Sequence, residues 1–142
     1  MKKYYVIEPE VAGGFGEHCE IDWSTGKMDV KKLHYQFDGW LGDELLESTP
    51  CYIVSERLAQ LIEQDKLSGV EFDEVEITIS DLFRDIYPNR QLPKFVWLKV
   101  IGIPGQDDFG IASGLRLVVS ERAINVLKKA GISNMASIVP YS

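Results

Sequence analysis

One phrase occurs twice in this chain, and it constrains the fold more than any other feature. Cys51-Tyr52-Ile53-Val54-Ser55-Glu56-Arg57-Leu58 is echoed by Leu117-Val118-Val119-Ser120-Glu121-Arg122-Ala123. Each copy is a short apolar run, then Ser-Glu-Arg, then apolar residues at helical spacing. A serine there caps the helix, because its hydroxyl accepts one of the backbone N–H groups that have no partner in the first turn. The glutamate that follows sits where the helix dipole favours negative charge. Leu58, Ala59, Leu61 and Ile62 give the first helix one apolar stripe. Ala123, Ile124, Val126 and Leu127 give the second the same stripe, displaced throughout by 65 positions. The phrase predicts two helices, Ser55–Lys66 and Ser120–Ala130, each entered from a buried strand. Gly131 is expected to end the second.

The remaining chain is read from alternation and breakers. Lys3 to Glu8 reads as a first strand, stopped at Glu8-Pro9-Glu10, and Ala12 to Gly16 as a loop. Glu17 to Asp22 reads as a polar segment, followed by a turn at Ser24-Thr25-Gly26-Lys27. Between Lys32 and Asp38, Leu33, Tyr35 and Phe37 alternate with His34 and Gln36, which predicts a strand with one apolar face. Asp43 to Ser48 can hold a short helix ended by Pro50. Val70, Phe72, Val75, Ile77 and Ile79 form one long extended run with a slip near Asp73-Glu74, expected as a bulge. Ser80 to Tyr87 predicts a short capped helix stopped by Pro88. Lys94 to Ile103 is nearly all apolar, as a strand covered on both faces would be. Pro104 to Gly110 is a loop, and Met135 to Tyr141 a last strand. These elements predict an α+β (mixed α/β) fold. It would have one central, largely antiparallel or mixed sheet of about six to seven strands, with two main helices in two similar strand-helix-strand units.

The 142 residues suit a single globular domain, 1–142, long enough to bury a core without disulfides or metal. A net charge of −7 argues against a nucleic-acid or anionic-membrane partner and for a basic one. Cys19 and Cys51 are too few for a disulfide framework and form no C-x-x-C, so reduced thiols and a cytoplasmic location are expected. Lys2 and Lys3 are followed by no long apolar core, so no signal peptide is expected. No apolar window is long enough to span a membrane.

Each candidate for chemistry has a plainer reading beside it. Ser55 and Ser120 sit between strand and helix as nucleophiles can, but the flanking glycines of G-x-S-x-G are absent, and helix caps explain them. His18, Cys19, His34 and Cys51 are the possible soft metal ligands, yet no pair has ligand spacing. Gly13-Gly14-Phe15-Gly16 departs from the phosphate-binding G-x-G-x-x-G. No cofactor and no metal are expected. The paired acids Asp43-Glu44 and Asp107-Asp108 read as solvated turn residues. More sharply, they read as an acidic contact surface beside exposed aromatic anchors, Trp40 and Phe109. A small hydrolase using these acids with a bound cation is the alternative. It requires at least two of Asp43, Glu44, Asp107, Asp108 and Glu17 to line one pocket.

Gly42-Asp43-Glu44-Leu45-Leu46, then Ile53-Val54-Ser55-Glu56-Arg57-Leu58, then Leu67-Ser68-Gly69-Val70-Glu71-Phe72-Asp73-Glu74-Val75 together resemble the immunity proteins of bacterial polymorphic-toxin and contact-dependent-inhibition systems. Val119 to Ile132 looks like the same idiom, and the matched stretches cover about half of the chain. In those proteins the longest match usually lies near the C-terminus, whereas here the fuller copy comes first. The resemblance implies a cytoplasmic protein without catalysis, whose partner is a cognate toxin's C-terminal domain, often a basic nuclease. It carries over no catalytic residues. The residues expected at the contact are Trp40, Asp43, Glu44, Asp107, Asp108 and Phe109.

Overall fold

The computed structural model describes residues 3–142. Its strands are β1 (Tyr4–Glu8), β2 (Gly13–Phe15), β3 (Glu20–Asp22), β4 (Asp29–Lys32), β5 (His34–Phe37), β6 (Leu45–Ser48), β7 (Cys51–Ser55), β8 (Val70–Asp73), β9 (Glu76–Ile79), β10 (Phe95–Val100), β11 (Phe109–Ala112), β12 (Arg116–Ser120) and β13 (Ser137–Pro140). The helices are α1 (Glu56–Gln64), α2 (Asp81–Ile86) and α3 (Glu121–Ala130). No helix among the described residues is long and apolar enough to cross a membrane.

The expected single central sheet is not formed. The fold is mixed α+β, with the described strands in four small sheets: β11-β12-β1-β13, β6-β7-β10-β8, β2-β5-β9 and β3-β4. The long run from Val70 to Ile79 shows why. Its slip near Asp73-Glu74 is a change of sheet rather than a bulge: β8 ends at Asp73 and β9 begins at Glu76. β8 pairs antiparallel with β10, whereas β9 pairs in parallel with β5.

The two four-stranded sheets correspond strand for strand. In one, the hairpin β6–β7 leads into α1; in the other, the hairpin β11–β12 leads into α3. β7 pairs antiparallel with β10 in a register that sets Ser55 opposite Phe95. β12 pairs with β1 in the same way, with Ser120 opposite Tyr4. β8 and β13, the strands after each helix, take the outer edges. The second unit is therefore completed by the N-terminal strand.

Side-chain alternation on these strands divides the core. Tyr52, Val54 and Leu98 face one way and meet Ile7, Leu117 and Val119 of the other sheet, with the stripes of α1 and α3 between them. Cys51, Ile53, Phe95 and Trp97 face the other way, under the three-stranded sheet and α2, against Tyr35, Phe37 and Phe83. β7 and β10 read as continuous apolar runs because both of their faces are covered. The opposite face of the β1 sheet holds only a small cluster, Tyr4, Val6, Ala112 and Val118, with Tyr141 packed on it.

Two local expectations also change. Leu45–Ser48 is a strand rather than a helix, because Leu45 and Leu46 pair with Val54 and Ile53 and both are fully buried. Gly13–Phe15 is a strand paired with β5 rather than a loop. A Cβ at Gly13 would lie 1.8 Å from the Gln36 carbonyl oxygen, so the pairing depends on a bare backbone there. His34, on the face opposite Leu33, Tyr35 and Phe37, is also buried, at 2% exposed.

Candidate functional site

The two Ser-Glu-Arg joints are wired alike. Ser55 Oγ accepts the Leu58 N–H at 3.0 Å and donates to Glu44 Oε1 at 2.5 Å. Ser120 Oγ accepts the Ala123 N–H at 3.0 Å and donates to Asp108 Oδ1 at 2.6 Å. The backbone repeats the match: the N–H of Ser55 donates to the Glu44 carbonyl and that of Ser120 to the Asp108 carbonyl, each at 2.9 Å. The arginines then reach across to the opposite helix. Arg57 pairs with Glu44 and donates to the Ala130 carbonyl at the end of α3. Arg122 pairs with Asp108 at 3.3 Å and donates to the Asp65 carbonyl, at 2.9 Å, at the end of α1. A cation at a helix C-terminus also complements the helix dipole.

Electrostatics follow from this wiring. Burial works to raise Asp108, but the Ser120 hydroxyl, the Ser68 N–H and the Arg122 guanidinium outweigh it and hold the carboxyl below the usual range. Glu44 accepting from Arg57 raises that guanidinium further. In both copies the arginine is 59% exposed and the carboxylate 15%. The acids are thus paired within the protein, and each serine oxygen is held between a helix N–H and a carboxylate, although Ser120 and Ser55 themselves border the clefts beside the joints. Both serines are buried, which suits caps and not nucleophiles.

A cleft opens beside each joint. One of about 540 Å³ lies at the second, lined by Lys3, Lys66, Asp108, Ser120, Glu121 and Arg122. Its counterpart at the first, 360 Å³, is lined by Trp40, Glu44, Glu56, Arg57 and Lys94. Of the carboxylates required by the hydrolase alternative, Asp108 lines the one and Glu44 the other, so neither cleft brings two of them together.

The expected contact residues fall at these joints, but in supporting positions. Phe109 is fully buried in the main core, and Trp40 is half-buried, so neither is an exposed anchor. Strand pairing with Val119 carries the Phe109 side chain inward. Trp40 Nε1 donates to the Asp43 carbonyl at 2.8 Å. The Asp43 carboxylate is buried and accepts both the backbone N–H and the side-chain amide of Asn134, each at 2.8 Å. Asp107 accepts the Ile103 N–H at 2.7 Å and closes its own turn. Glu10, which the sequence offered only as a strand stop, is buried and accepts the N–H groups of Leu41 and Asp43.

Sequence reasoning also scattered the histidines, and the fold gathers them. The parallel pairing of β5 with β9 places His34, Glu76 and Thr78 side by side. His18 stacks on His34 with ring centroids 4.9 Å apart, and its Nδ1 lies 2.7 Å from Glu76 Oε2. The His18 contact holds the Glu76 carboxyl below its ordinary range. Three potential ligand atoms lie within 4.8 Å of one another. The donor set nevertheless fits a metal poorly. His34 Nδ1 accepts the His18 backbone N–H at 3.1 Å, so its proton sits on Nε2 and points at Thr78 Oγ1, 2.7 Å away. A ligating histidine normally donates from the nitrogen that does not bind the metal. His34 uses that nitrogen as an acceptor, so Nε2 has no lone pair to give.

Charge is placed unevenly. Residues 1–93 hold 19 carboxylates against 9 Lys and Arg, whereas residues 94–142 hold 3 against 6. The excess negative charge therefore lies in the segment that forms the three-stranded sheet, α2 and the first unit apart from β10, and that also lends β1 to the second unit. In comparisons with known proteins, no family model and no curated protein matches the chain.

Proposed function

We propose that this chain is an immunity protein that binds and neutralises a cognate bacterial toxin domain, a basic C-terminal domain of nuclease type, in the cytoplasm and without catalysis. The observation that carries the reading is the uneven charge: a surplus of ten carboxylates lies in residues 1–93. A basic partner approaching such a surface is steered onto it and oriented. The wiring of the Ser-Glu-Arg phrase supports the same reading, because it ties the most suggestive side chains into the scaffold and leaves surface recognition as the work to be done. The resemblance to immunity proteins in the phrases around Ser55 and Ser120 agrees with it.

The test is calorimetric titration against the toxin C-terminal domain encoded beside this chain, carried as an inactivated variant. The expected result is one-to-one nanomolar binding, about −12 kcal/mol, that weakens as salt rises. Absence of binding at micromolar concentrations would overturn the reading.

A further inference from the structure

We propose that the toxin domain docks on the groove between Val11, Trp40, Leu41 and Tyr87 and on the adjoining outer face of α2; the inference rests on the immunity reading above. The groove has a volume of about 380 Å³ and is lined also by Asp38. Val11 is 63% and Leu41 68% exposed, the highest values among the large apolar side chains. Trp40 and Tyr87 form its floor, packed on the aromatic core through Phe95 and Phe83. Tyr87 leads onto α2, where Phe83 is buried while Leu82 and Ile86, one turn apart, remain 55% and 53% exposed. Aromatic and aliphatic side chains held rigidly in a groove are what an interface centre consists of.

Charge decides what covers it. Asp38, Asp81 and Asp85 are exposed around this surface. The cations there are Arg84, which pairs with Asp81 at 3.1 Å, and Arg90, which lies over Trp40 and Tyr87 at 4.4 and 4.9 Å while donating to the Trp40 carbonyl. With Glu10, which also lines the groove, four carboxylates stand against these two guanidiniums, so the surface is acidic by two charges, as a basic occupant requires. Ile103, Leu115 and Val139 are also exposed, but they belong to the part of the chain where cations outnumber acids. That part of the chain suits a basic partner less well.

Binding of the same inactivated toxin domain is compared for the wild type, for V11K and L41K, for D38K with D85K, and for the control I103K with V139K. Sedimentation and thermal melts are run on each. The groove and rim variants should melt like the wild type, since their side chains are exposed, and lose roughly thirtyfold or more in affinity, with the control unchanged. If the wild type binds and the groove and rim variants bind equally well, the docking surface is wrong and the immunity reading stands. If the wild type does not bind, both fall. If the wild type is a dimer that L41K makes monomeric, the groove is covered by a second copy and the docking inference is overturned.

Discussion

At the residue scale, Asp108 shows how a side chain that invites a functional reading is explained by its partners. It accepts from the Ser120 hydroxyl, the Ser68 N–H and Arg122 at once. Asp108→Asn keeps the shape and removes the charge that these donors require. We expect a loss of about 1–3 kcal/mol at pH 7, read as a lower urea midpoint. The sign of the pH effect follows from its lowered carboxyl. The stabilisation is present above the ordinary aspartate range, near pH 4, and is lost as pH falls through the folded value. The gap between wild type and variant should therefore narrow on acidification. An unchanged gap at pH 2.5 would show that the charge is not what matters. Asp108 was legible as a loop acid. Its role was not, because Ser68 lies forty positions away and Arg122 fourteen.

At the element scale, the two helices test the correspondence of the units against each other. Both end at a residue with positive φ, 53° at Lys66 and 109° at Gly131. Only the second has the residue type suited to it, since a Cβ is strained in the left-handed region. Lys66→Gly should stabilise the protein by about 0.5–1 kcal/mol, and Gly131→Ala should destabilise it by about 1 kcal/mol. Thermal melts with opposite shifts would bear this out; a destabilised Lys66→Gly would mean that the lysine side chain does more than fill the position. The caps at Ser55 and Ser120 were readable because a cap acts within three residues of its helix. The short strands β2, β3 and β6 were not, because each is defined by a partner elsewhere in the chain.

At the scale of the whole molecule, the chain order hides the equivalence. The first unit runs β6, β7, α1, β8 and then, after β9 and α2, β10. The second runs β11, β12, α3 and β13, and takes its central strand, β1, from the other end of the sequence. Tyr141 donates its N–H to the Tyr4 carbonyl at 2.9 Å, so the two ends of the described chain lie together. A circular permutant with Ser142 joined to Met1 by a linker of about six residues, opened between Gly105 and Gln106, would make the second unit contiguous. We expect it to unfold in one cooperative transition within about 2 kcal/mol of the parent. A permutant without a cooperative melt would show that the original order of β1 is needed for folding.

What the sequence determined by itself was local: which residues cap helices, which stripes they bury, and that the same strand-to-helix joint occurs twice. These follow from backbone hydrogen bonding and hydrophobic periodicity over a few residues, and they need no partner. The tertiary structure decided the rest. It split the extended run from Val70 to Ile79 between two sheets, carried Phe109 into the core, gathered His18, His34 and Glu76, and left Val11 and Leu41 bare beside Asp38. Each of these outcomes depends on strand pairing between distant segments, whose free energy lies in the partner surface and not in the segment itself.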